Sequence, residues 1–95
     1  MAKYELMVII NPSLSEEDRN ASIDNLKSIL DKYSAKITKE DVWGEKKLAY
    51  KINKSETGYY ILFELDLDGT KIKDISKETN LDRNIWRYMY TRQES

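Results

Sequence analysis

Residues 42–52, reading Val42-Trp43-Gly44-Glu45-Lys46-Lys47-Leu48-Ala49-Tyr50-Lys51-Ile52, carry the pattern from which the fold can be worked out. From Leu48 onward apolar and lysine residues alternate, so Leu48, Tyr50 and Ile52 share one face and Lys47, Ala49 and Lys51 the other. That is the period-two signature of a half-buried strand. A second strand begins at Gly58-Tyr59-Tyr60-Ile61-Leu62-Phe63. The link between them, Asn53-Lys54-Ser55-Glu56-Thr57, is polar and short, which predicts a hairpin loop rather than a crossover. Upstream the parity is reversed: Ile37, Lys39 and Asp41 are odd-numbered, whereas the inward set Leu48, Tyr50 and Ile52 is even. A strand cannot change faces without an extra residue, so a bulge or bend is expected between Glu40 and Glu45. Gly44 is its natural site, because there it alone takes a positive φ without strain.

Working outward, Lys3 to Ile10 is a strand with Tyr4, Leu6, Val8 and Ile10 on one face and Glu5, Met7 and Ile9 on the other. Both faces are largely apolar, as in a central strand. Asn11-Pro12 ends it, since proline has no ladder donor and turns its predecessor away from helix. Ser15 before Glu16-Glu17-Asp18 reads as an N-cap with acidic groups at the positive end of the helix dipole. The helix is expected to run to about Lys32, with Ile23, Leu26, Ile29, Leu30 and Tyr33 as its apolar stripe. The next strand starts at Lys36 and runs into the opening motif, and the third covers Tyr59 to Leu67. Asp68-Gly69-Thr70 leads into a second helix, about Thr70 to Asn80, with Ile72, Ile75 and Thr79 inward and Leu81 packing just past its end. A last strand, Asn84 to Arg92, places Trp86, Tyr88 and Tyr90 on one face and Arg87, Met89 and Thr91 on the other, leaving Gln93-Glu94-Ser95 as a tail.

The order strand, helix, strand, strand, helix, strand is that of an α+β, ferredoxin-like βαββαβ domain spanning residues 1–95: a four-stranded antiparallel sheet with two helices on one face. The first and third strands are then central, which fits their two apolar faces. The second and fourth, which bear lysines and arginines, are edges, where charge blocks edge-to-edge pairing. Leu6, Val8, Ile61, Phe63, Leu48 and Tyr50 are expected on the face beneath the helices.

A chain of 95 residues buries roughly 60–65% of its unfolded surface, enough for one modest core. It has no cysteine and no histidine. Disulfides, Cys/His metal centres, a histidine base and a thiol nucleophile are thereby excluded. No catalytic residues, cofactor or metal are expected, since no Gly-rich phosphate loop is present and Glu16-Glu17 and Asp66 with Asp68 read as helix capping and an exposed strand end. The apolar run Leu6 to Ile10 is too short to cross a bilayer and no small-residue cleavage site follows, so a soluble, cytoplasmic protein is expected. Sixteen basic and seventeen acidic residues give a net charge of −1, against a generic polyanion binder. The distribution is uneven, however. Residues 36–54 hold six basic and three acidic groups, and Arg83, Arg87 and Arg92 crowd the end of the chain.

Gly44-x-Lys46-x-Leu48-Ala49-Tyr50-x-Ile52 followed by Gly58-Tyr59-Tyr60 resembles the signature of the bacterial small-subunit ribosomal protein six family. The resemblance extends through Tyr4-Glu5, Asn11-Pro12, Ser15-Glu16-Glu17 and the segment Leu81 to Met89, while Trp43, Trp86, Tyr88 and Tyr90 are bulkier than that family's pattern. It implies a ribosome-bound structural component that binds ribosomal RNA of the central domain, or platform, together with small-subunit ribosomal protein eighteen. Such a protein can be near neutral, because a basic partner supplies much of the phosphate neutralisation. Candidate RNA contacts are Lys3, Tyr4, Arg87 and Arg92, with Lys46, Lys47, Lys51 and Lys54 as weaker ones; Tyr4 serves equally well as core. Two other readings share the topology: an RNA-recognition-motif module, suggested by Gly58 to Phe63, and a small-ligand regulatory domain.

Overall fold

The structure, a computed structural model, describes residues 1–93. Strand β1 (Ala2–Ile10) is followed by helix α1 (Glu16–Lys32), strands β2 (Lys36–Ile52) and β3 (Ser55–Leu67), helix α2 (Ile72–Thr79) and strand β4 (Ile85–Gln93). The strands form an antiparallel sheet in the order β2-β3-β1-β4, so β1 and β3 are central and β2 and β4 are edges. Leu6 lies across the ladder from Phe63 on one side and Tyr90 on the other, and Val8 from Ile61 and Tyr88. Their shared parity makes one apolar sheet face. Leu6, Val8, Ile10, Ile61, Phe63, Leu65 and Leu67 bury there against Leu26, Ile29 and Leu30 of α1 and Ile75 of α2. With both helices on that face, the arrangement is the ferredoxin-like α+β fold.

Local chemistry places the helices as expected. The Ser15 hydroxyl accepts from the Asp18 amide at 3.1 Å and caps α1. Ser34, at φ 61°, lets the Ala35 amide turn back to the Leu30 carbonyl at 2.9 Å. The Asp68 carboxylate accepts from the Thr70 amide and opens a single 3-10 turn, Gly69–Lys71, so α2 proper begins at Ile72 rather than Thr70. The two helix ends are joined through Glu78, which receives the Tyr33 hydroxyl and the Lys32 ammonium, the latter at 3.1 Å.

The parity break in β2 is real. Gly44 has φ +79°, and the pairing slips between Val42 and Gly44. The strand beyond it departs from the expected alternation. Leu48 is 8% exposed, but it lies on the sheet face away from the helices: its Cδ2 and the Ile9 Cγ2 crowd the bare Cα of Gly58. Tyr50 is 84% exposed and belongs to no core. The reason is a further slip, the third along β2 after those at Ile37/Lys39 and Val42/Gly44, in which four residues of β2 (48–51) stand opposite the single Glu56 of β3 before Ile52 pairs with Ser55. The hairpin loop is correspondingly only Asn53-Lys54, both at positive φ (48° and 67°), the geometry of a type I′ turn, rather than the five residues expected.

β4 holds a similar correction. A slip between Ile9 and Ile10 pairs Ile10 with Ile85 and Ile9 with Arg87, so Ile85, and not Trp86, joins the core cluster beside Tyr88 and Tyr90, the two residues that alternation grouped with Trp86. Tyr88 and Tyr90 do pack against the core. Leu81 does not: it is 81% exposed. Gln93 is the last residue of β4, pairing with Lys3, and not part of a tail. Of that expected tail, Glu94 and Ser95 lie outside the described residues.

Candidate nucleic-acid interface

The sheet face away from the helices is built from the alternate residues that the core does not use. On the central strands these are Lys3, Glu5, Met7 and Ile9 of β1 and Tyr60, Leu62, Glu64 and Asp66 of β3. The face has two unlike ends. At one, acids answer the cations: Lys3 lies across the ladder from Asp66, Lys39 pairs with Glu64 at 3.7 Å, and Gln93 donates to Glu5 at 2.6 Å. At the other, Trp43, Lys46, Tyr60, Leu48, Ile9 and Arg87 come together with no carboxylate paired to Lys46 or Arg87 among the described residues. An anion approaching the β2–β3 hairpin end therefore meets Lys46 and Arg87 with no ion-paired carboxylate among the described residues.

The candidate contacts divide accordingly. Arg87 is exposed on the open face, across from Ile9, beside the hollow lined by Leu48, Tyr50, Ile52 and Tyr60. Lys3 is exposed on the same face but at its other end, roughly 20 Å away at about 3.4 Å per strand residue. Tyr4 and Arg92 are ladder partners with the parity of the helix side. Tyr4 is half-buried, packs against the core and presses its hydroxyl on Gly69. Arg92 is exposed and shares with Tyr4, Asp68 and Thr70 a shallow hollow of about 570 Å³ at the sheet margin. The Thr70 hydroxyl, followed by its amide, holds the Asp68 carboxyl below the usual carboxylate range, so this hollow carries a fixed negative charge beside Arg92. Lys46 and Lys47 border Trp43 and Tyr60. Lys51 reaches Glu56 at 3.9 Å, and Lys54 occupies the hairpin turn.

Two side chains of this end were not among the expected contacts. Trp43 and Tyr60 lie with ring centroids 6.4 Å apart and planes within 11°, and the Trp43 indole N–H donates to Asp41 at 3.2 Å. Trp43 is 44% exposed. Alternation assigns a bulged residue to no face, and Trp43 is that residue. The available signal was its position immediately before Gly44. On β3, Tyr59, Ile61 and Phe63 face the helices, leaving Tyr60 as that strand's aromatic on the open side.

The sequence profile of the family described as Ribosomal protein S6 matches residues 3–92. Small ribosomal subunit protein bS6 of Fusobacterium nucleatum is 38% identical over 94 residues, spanning 99% of this chain and 100% of that protein. The bS6 protein of Thermoanaerobacter pseudethanolicus is 35% identical over 92 residues, 97% of each. The crystal structure of 30S ribosomal protein S6 from Thermotoga maritima matches the fold with a TM-score of 0.88 at 29% identity, covering 97% of this chain and 87% of that one. Sequence and fold thus agree over nearly the whole length, and the chain belongs to the ribosomal protein S6 family of the bacterial small ribosomal subunit, a family of structural ribosomal proteins and not of enzymes.

Proposed function

We propose that this protein, working on the cytoplasmic ribosome, binds ribosomal RNA of the central domain, or platform, as one half of a heterodimer with small-subunit ribosomal protein eighteen. The observation that carries this reading is the sheet face left open by the helices, whose hairpin end gathers Arg87 and Lys46 with no ion-paired carboxylate among the described residues. The contacts to phosphate and sugar are assigned to Arg87 and Lys3 on that face and to Tyr4 and Arg92 at its margin, with Lys46, Lys47, Lys51 and Lys54 as secondary contacts. Arginine suits bidentate phosphate contact, and apart from Arg19 it occurs in this chain only at positions 83, 87 and 92. The net charge of −1 and the acids at the far end of the face argue that the protein alone binds RNA weakly. A partner rich in basic residues supplies the missing attraction.

The test is titration of a central-domain RNA fragment with the protein alone, with protein eighteen alone and with both, over a series of salt concentrations. Tight binding is expected only with both. Arg87→Gln and Arg92→Gln should each weaken binding of the heterodimer and flatten the plot of log affinity against log salt by roughly 0.7–0.9. Equal affinity with and without the partner would overturn the heterodimer reading, and an unchanged salt slope for both variants would remove the arginines from the contact surface.

A further inference from the structure

We draw no further inference here: the strongest candidate, the hollow between α1 and the α2–β4 loop that Asn25, Ile29, Glu78, Asp82 and Arg83 line together with the exposed Leu81, is an open surface of mixed charge, and nothing in the structure shows what covers it.

Discussion

Gly44 and Gly58 lie close together in the β2–β3 ladder and are glycine for opposite reasons. Gly44 has open space around it and a φ of +79°, so a side chain there is opposed by the backbone alone. A Cβ at Gly58 would lie 2.5 Å from the Ile9 Cγ2 and 3.1 Å from the Leu48 Cδ2, so there the opposition is packing. Gly44→Ala is expected to cost about 1–2 kcal/mol, the penalty of a left-handed L-residue. Gly58→Ala is expected to cost about 1–3 kcal/mol through overpacking. Urea unfolding checks both, and relief of the second but not the first by Ile9→Ala separates the two causes. The need for glycine at 44 was legible in the sequence because a change of parity must be absorbed somewhere. At 58 it was not, since the clash comes from a residue on β1 and one on the far end of β2 that only the folded sheet brings together.

At the scale of the element, β2 is a strand whose register slips at Ile37/Lys39 and again at the Gly44 bulge, followed by a segment that leaves the ladder. Its first half covers the edge of the sheet, and Glu40 there reaches Lys27 of α1 at 2.7 Å. Its second half carries Leu48 onto Ile9, on the face away from the helices. Leu48→Ala is therefore expected to destabilise by about 2 kcal/mol, the low end for a buried leucine, because the site sits at a margin and can partly collapse. In double-mutant cycles it should couple to Ile9→Ala and be additive with Leu26→Ala beneath the helices; the reverse result would return Leu48 to the main core. Strand identity and order were readable from β1 and β3, whose two apolar faces leave a single sheet position for each. The end of β2 was not, because a strict period of two was extended through a stretch where four residues stand opposite one. The same slip hid part of the candidate site: Arg87 could be placed by alternation within β4, whereas Trp43 occupies a bulge and its pairing with Tyr60 exists only in three dimensions.

For the whole molecule, the helix layer is tied at one point by ionisable groups, and this sets how it responds to pH. The hydrogen bond from Tyr33, then that from Lys32, hold the Glu78 carboxyl below its ordinary value of 4.5. The same bond pushes the Tyr33 phenol from 10.0 up to about 12. A lowered carboxylate pKa contributes stability in full above the unfolded value, and that stability is lost as pH falls through the folded one. A raised phenol pKa contributes below pH 10.0, and its contribution is lost as pH rises toward about 12. Thermal unfolding of the wild type and Glu78→Gln, followed across pH, should differ most between these limits and converge outside them. The sheet order carries a further consequence. β1, the first of the four strands in chain order, pairs on one side with β4, the fourth, so that Lys3 lies beside Gln93. A nascent chain that has already paired β1 with β3 still presents β1 as a bare edge, and Leu6 and Val8 lack Tyr90 and Tyr88 as ladder neighbours until β4 has been made. Closure of the sheet waits on β4 to leave the ribosome, so the three strands made before it cannot complete the fold by themselves.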